Sequence, residues 1–208
     1  MDAIKEFRGD NEFLSNFYQR SIVVNFLPAY EGSDPLAAVF NVPTNEHAFQ
    51  ACKTKDPDQV KLIIQAGDAS TAKKLGRQVK LIDDWDSLRI PFMKKVVEAK
   101  FKQHIDLKIK LLMTGERELV EGNTWKDEFW GVSEKTGHGE NHLGKILMEV
   151  RSEIKATDGN VLQVLKAHLD DKGLGFIGES VIKLHTAAAD MLAGGNANAL
   201  EEAVKLFV

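Results

Sequence analysis

The period of the apolar positions changes several times along the chain, and each change marks an element. Ile22-Val-Val-Asn-Phe26 and Ala38-Val-Phe-Asn-Val42 are short β-rich runs. The loop between them holds Pro28, Gly32 and Pro35, which predicts a loosely connected strand pair. After Pro43 the pattern turns helical: Thr44 suits an N-cap, Glu46 falls in the first turn, and no breaker follows until about Thr54. Helices are expected over 57–66, closed by Gly67, and over 69–75, closed by Gly76. Trp85, Leu88, Phe92, Val96 and Val97 recur at helical spacing, which predicts a long helix over 85–104 with one apolar face. A shorter helix over 106–113 ends at Gly115, and 119–132 reads as loop and strand. A last helix follows, with Leu143, Ile146, Leu147, Val150 and Ile154 at i, i+3, i+4, i+7 and i+11.

Around Ala156-Thr-Asp-Gly-Asn160 the residues become small and polar, and beyond them come two or three amphipathic helices separated by Gly-rich turns. The expected organisation is a first domain over 1–155, mostly α with a small antiparallel β-sheet (α+β), and an appended helical module over 156–208. No polar cluster converges in that module, so its expected use is packing or homo-oligomerisation. A chain of 208 residues with 43% hydrophobic and 28% charged residues buries enough apolar surface to fold alone. Its Lys and Arg (27) against Asp and Glu (31) leave a net charge of −4, which argues against affinity built mainly on neutralising phosphates. Cys52 is the only cysteine, so no disulfide or cysteine zinc cluster can form within the chain. The first residues carry charges at Asp2, Lys5, Glu6 and Arg8 in place of a secretion signal's apolar run, and no stretch reaches 18 apolar residues. The expectation is a cytoplasmic protein with no membrane contact.

Pro43-Thr-Asn-Glu-His-Ala-Phe-Gln-Ala-Cys-Lys53 is the most informative segment. Glu46 and Lys53 lie nearly two turns apart on one helical face, with Gln50 between them and Phe49 one step aside, over roughly 10 Å of helix. That mix either forms an ordinary solvated stripe or assembles a carboxylate, an amide and an amine for chemistry. Gly137-His-Gly-Glu-Asn-His-Leu-Gly-Lys145 is a glycine-rich loop entering a helix, where free amides and the dipole's positive end can bind phosphate. It satisfies Gly-x4-Gly-Lys, yet Ile146 stands where a nucleotide-binding P-loop needs Ser or Thr, so that reading is excluded. Gly144 within the helix costs about 1 kcal/mol relative to Ala and serves either a close ligand or close packing. Trp85, Trp125 and Trp130 are available for stacking, and Asp127-Glu-Phe-Trp-Gly131 sets carboxylates beside an aromatic and a glycine. The histidines, His47, His138 and His142 among them, show no metal-ligand spacing, so neither metal nor cofactor is expected.

Taken together the motifs resemble the YbiA-like, or NADAR, family. They are Phe7-Arg-Gly with Leu14-Ser-Asn-Phe-Tyr18, Thr44-x-Glu-His-x-Phe-Gln-Ala-x-Lys53, Ala72-x-x-x-Gly-Arg77, Trp85-x-x-x-Arg89, Lys100-Phe101, Asp127-x-x-Trp-Gly131 and Gly139-x-Asn-x-Leu-Gly-Lys-Ile-Leu-Met148. The resemblance spans about residues 7–155 and departs from the family pattern at Asn45, Ala48 and Thr54, which bear on substrate choice. It implies N-glycosidase activity on nucleotide-like substrates. The first class is ADP-ribose conjugates such as ADP-ribosylated guanine in nucleic acid; the second is phosphorylated ribosylamino-pyrimidine intermediates of riboflavin synthesis. A module that binds ADP-ribose without turnover is the competing class. Glu46, Lys53 and Asp127 are the expected catalytic residues: Glu46 to stabilise an oxocarbenium ion, Lys53 as a candidate Schiff-base nucleophile if its amine is neutral. The expected substrate contacts are Arg77, Asn141 and Lys145 on phosphate, with Gly144 beside them. Trp85 or Trp130, with Gly131 adjacent, is expected on the base, and Asn16 on a ribose hydroxyl. Lys73, Lys74, Arg77, Lys94 and Lys95 form either a small basic rim for nucleic acid or solvated helix faces.

Overall fold

The computed structural model describes residues 2–25 and 39–172. The chain divides into two compact units, Met1–Gln103 with Glu116–Arg151 and His104–Gly115 with Ser152–Val208.

In the first unit β1 (Ile22–Val24) pairs antiparallel with β2 (Phe40–Val42), Ile22 opposite Val42. Ile22, Val24 and Val42 are buried while Val23 points out, the period of two that a half-buried strand requires. Gln103 completes the edge of β1, donating its amide to the Val23 carbonyl at 2.7 Å and accepting the Val23 N–H at 2.8 Å. The expected loop between the strands, 26–38, lies outside the described residues.

Helix α1 (Asn45–Ala51) is short and central, with every one of its seven residues buried. Thr44 caps it by accepting from the His47 N–H. The His47 ring is held neutral by burial: its Nε2–H donates to the Ala66 carbonyl and its Nδ1 accepts from the Thr44 hydroxyl. Around α1 pack α2 (Pro57–Ile64), α3 (Ala69–Gly76) and α4 (Trp85–Gln103). Asp56 with Pro57, and Asp68, supply the N-terminal caps that the free amides of α2 and α3 need. Gly76 is the last residue of α3 and not its terminator, because it sits where α3 meets the Gln50 side chain. In α4, Val96, Val97 and Phe101 are buried, and Pro91 is accommodated near the start. Lys100 is also buried; its Nζ donates to the Ser15 carbonyl at 2.9 Å and stands 5.3 Å from the Tyr18 ring, and burial pushes its amine down to about 7. This contact fixes the Ser15–Tyr18 segment against α4.

β3 (Gly122–Asn123) and β4 (Val132–Ser133) form a two-residue parallel ladder, a pairing too short to read from periodicity. In the second unit α5 (Ile105–Met113) packs on α7 (Val161–Asp171), burying Leu107, Ile109, Leu111, Val164 and Leu165. Lys108 binds Asp158 at 2.6 Å there. Helix α6 (His142–Asp158) continues through the boundary expected near residue 155. The further helices expected up to residue 208 lie outside the described residues.

Candidate active site

Because α1 is wholly buried, its Glu46/Gln50 face is no solvated stripe; it floors a cavity of about 670 Å³ in the first unit. The Glu46 backbone N–H donates to the Asn16 carbonyl at 3.0 Å, and the Gln50 amide donates to Glu46 Oε1 at 2.7 Å. Gln50 is pressed against Gly76, where an added Cβ would run into its side chain. Lys53 follows the helix end and still reaches the cavity, its Nζ 5.7 Å from the Phe49 ring and 5.8 Å from that of Trp85.

Burial moves these partners toward their neutral forms. The Glu46 carboxyl rises above the usual range, chiefly from loss of solvent; Lys73, the Gln50 amide and Lys53 pull it back, and Asp127 adds to the rise. The Lys53 amine falls for the same primary reason, opposed by Glu46 and assisted by Lys73 and Arg77. Glu121, also on the cavity wall, is pushed up to about 7 by burial and by the neighbouring Asp127. Cys52 lies buried beneath with its thiol pushed far up, which leaves it unreactive.

The remaining wall includes Arg8, the Ser15–Phe17 segment, Lys73, Arg77, Trp125 and Asp127. Asn16 is buried, donating to Met93 Sδ at 3.1 Å and accepting from Asn45 at 3.3 Å. Lys73 Nζ lies 5.5 Å from the Phe17 ring, and Trp125 stands 58% exposed, so the wall offers cations beside open aromatic faces. Asp127 accepts the Trp130 N–H at 2.9 Å while Asn123 brackets the Asp127 backbone from both sides, which fixes the loop. Among the described residues no group of His, Cys, Asp and Glu is arranged to hold a metal ion.

Of the residues expected to form the site, the structure gathers Asn16, Glu46, Lys53, Arg77, Asp127 and Trp130 around this cavity. Trp85 stands behind it, 5.5 Å from the Phe49 ring, in a cluster where Phe49 also meets Trp130 at 5.3 Å and Arg89 covers Phe129 at 3.7 Å. Gly131, Asn141, Gly144 and Lys145 are not brought to the cavity. Asn141 is buried with its side chain spent on backbone, accepting from the Glu121 N–H at 3.1 Å and donating to the Leu119 carbonyl at 2.9 Å. A Cβ on Gly144 would strike the Leu119 carbonyl and the Asn141 amide, and one on Gly131 would strike the Glu121 carbonyl. Lys145 is exposed on α6. The glycine-rich loop is therefore packing that seats Glu121, and the amides expected to bind phosphate donate elsewhere: the His142 N–H to the Phe129 carbonyl and the Leu143 N–H to that of Trp130. Of the rim lysines, Lys73 reaches the cavity, Lys94 binds Glu149 at 2.8 Å, Lys95 lies 5.9 Å from the Phe92 ring, and Lys74 is exposed. Trp125, one of the three tryptophans available for stacking, also lines the cavity, as do Arg8 and Glu121, which the sequence did not single out as site residues. Arg8 lies within the Phe7-Arg-Gly motif, whereas Glu121 has no signal in spacing or period.

The fold and cavity define a class: a small α+β domain in which a buried capped helix presents a carboxylate and a nearby lysine to a cation-lined pocket. Within that class, the chain belongs to the NADAR domain family, which matches residues 5–155. It is similar to N-glycosidase YbiA of Escherichia coli, 38% identical over 114 residues, covering 54% of this chain and 70% of that protein. An N-glycosidase of Nostoc punctiforme is 42% identical over 117 residues, covering 54% and 74%. A riboflavin biosynthesis protein of Vibrio vulnificus is 37% identical over 145 residues, or 69% of this chain, but the match spans only 35% of that longer protein. The solution structure of Escherichia coli YbiA superposes with a TM-score of 0.62 at 32% identity, covering 75% of this chain and 87% of that one. Among the described residues no helix is long and apolar enough to cross a membrane.

Proposed function

We propose that this chain is an N-glycosidase that hydrolyses the C1′–N bond of phosphorylated ribosyl conjugates, with ADP-ribosylated bases such as guanine first among its substrates. The observation that carries the reading is Glu46: a buried carboxyl on the cavity floor, hydrogen-bonded by Gln50 and flanked by Lys53 and Lys73. Departure of the base leaves positive charge on the ribose, and a carboxylate fixed in a low-dielectric cavity stabilises that charge more than water does. Burial raises the Glu46 carboxyl, and Lys73, the Gln50 amide and Lys53 oppose that rise in favour of the ionised form that this role needs. Arg8, Lys73 and Arg77 supply charge for phosphate oxygens, and a cavity of about 670 Å³ suits a nucleotide-sized ligand.

The test is a side-by-side assay of ADP-ribosylated guanine oligonucleotide, free ADP-ribosyl-guanosine and ribosylaminouracil phosphate, with wild type and Glu46→Gln. The expected result is cleavage of the guanine conjugates and a loss of roughly 10²–10⁴-fold in the variant. Wild-type turnover by Glu46→Gln overturns the role of Glu46. Tight ADP-ribose binding in calorimetry, with no base released from any conjugate, overturns the activity and leaves a binding module.

Two narrower readings have their own support. Cleavage of ribosylaminouracil phosphate alone makes the riboflavin intermediate the substrate, the reading favoured by the name of the Vibrio relative. Lys53 as a covalent nucleophile is favoured by its lowered amine, since Schiff-base formation needs the neutral form. Borohydride trapping of a substrate adduct, mapped by mass spectrometry, decides it.

A further inference from the structure

We propose that Glu121 is the general acid of the reaction, holding the proton that the departing base takes up; this rests on the glycosidase reading above. Cleavage of a C1′–N bond sends the bonding pair to nitrogen, and an uncharged base leaves poorly unless a proton arrives as the bond breaks. Glu46, paired with Gln50 and flanked by lysines, is placed for the carboxylate role, which leaves the proton donor unassigned.

Glu121 has the geometry for it. Glu121 lines the cavity together with Glu46 and Asp127, and its carboxyl is close enough to both to feel their charge. Its Oε2 is shut off from solvent and has no hydrogen-bond partner among the described residues. A buried carboxylate oxygen without a donor is costly, so the neutral carboxyl form, which holds a proton, is favoured there. The backbone of Glu121 is held from two sides, its N–H by Asn141 Oδ1 at 3.1 Å and its carbonyl by the Val132 N–H at 2.8 Å. Gly131 leaves room for it, since a Cβ there would press on the Glu121 carbonyl and lie 3.1 Å from its Cγ.

The charges facing Glu121 agree with a donor that titrates near neutrality. Asp127 and Glu46 favour its protonated form; Lys73 and Arg8 oppose it, and Arg8 is shared with Glu134 at 3.4 Å. Burial is the largest cause, and the carboxyl titrates at about 7.

The step balances without any further reagent. The C1′–N bond breaks with its electron pair going to the base, and the Glu121 proton moves to the base. Water then bonds to C1′ and loses one proton, which restores the Glu121 carboxyl by way of solvent.

The experiment compares wild type, Glu121→Gln and Glu121→Asp on an ADP-ribosyl-guanine conjugate and on a 4-nitrophenyl ribofuranoside 5-phosphate, whose nitrophenolate departs without a proton. The proposal expects wild-type kcat/KM on the conjugate to fall as pH rises through about 7. Glu121→Gln should lose roughly 10²-fold or more on the conjugate and lose this limb, yet keep nitrophenyl activity within about threefold. Glu121→Asp should retain the limb at reduced rate. Equal losses on both substrates, or a limb that persists in Glu121→Gln, overturn the proposal and make Glu121 a structural residue. If wild type cleaves neither substrate, the glycosidase reading itself fails, and the acid assignment with it.

Discussion

Gln50 donates its side-chain amide to Glu46 across one turn of α1, at 2.7 Å, while its own side chain rests on Gly76 of α3. The contact links the proposed catalytic carboxylate to the packing of a second helix. It also explains a glycine at the end of α3 where no positive φ demands one.

Gly76→Ala is therefore expected to damage both stability and activity. The added methyl meets Gln50, so the cost should fall in the range of about 1–3 kcal/mol typical of overpacking. Because the displaced amide is the one on Glu46, kcat should fall more than KM rises. Denaturant unfolding and steady-state kinetics measure the two effects, and a variant of unchanged kcat would separate Gly76 from the site.

Phe49 sits between Trp85 and Trp130 at 5.5 and 5.3 Å and is 4% exposed. Truncating it to Ala should cost about 3–5 kcal/mol and release the Trp130 wall of the cavity. Phe49→Leu, which keeps most of the volume, should cost far less. Thermal unfolding of the two variants checks the order.

Glu121 makes stability depend on pH in a defined direction. Its carboxyl is raised from 4.5 to about 7 in the fold, so between these values the native state holds more protons than the unfolded chain. Stability from this group is full below pH 4.5 and is lost as pH rises through about 7. In Glu121→Gln this loss is absent, and the difference between variant and wild type should shift by about 3 kcal/mol in favour of the variant from pH 4.5 to 8. Urea midpoints across that range test it, and parallel curves would refute the assigned shift.

Lys100 acts with the opposite sign. Its amine is lowered from 10.5 to about 7, so above pH 7 the unfolded chain binds the extra proton and stability rises with pH. The window is pH 7 to 9, in which Glu121 opposes the rise near the lower end and Cys52 begins to oppose it only near the upper end. Wild type should gain about 2 kcal/mol across it, and Lys100→Met should lose most of that rise. Lys53, whose amine is also lowered, contributes in the same direction, so the variant's curve flattens without becoming level. Melting temperatures measured at constant ionic strength give the slopes.

The sequence by itself determined the elements and the candidate chemistry of one helix. Thr44, Asp56 with Pro57, and Asp68 cap their own helices through local contacts, so α1, α2 and α3 begin where the sequence says they should. The apolar period of α6 fixed which face would be buried, and Leu143, Ile146, Leu147, Val150 and Ile154 are all buried. Local rules could also place Glu46 and Gln50 on one face, one turn apart. They could not say whether that face met water, because a short polar helix is buried or exposed by what packs around it. Only the tertiary structure wrapped α2, α3 and α4 around α1 and turned its polar face into a cavity floor. It likewise decided that Asn141, Gly131 and Gly144 support a backbone while Glu121 and Arg8 join the cavity. Residues such as Arg8, Glu46 and Glu121 become neighbours only when distant segments pack, and neither period, propensity nor motif spacing encodes that distance.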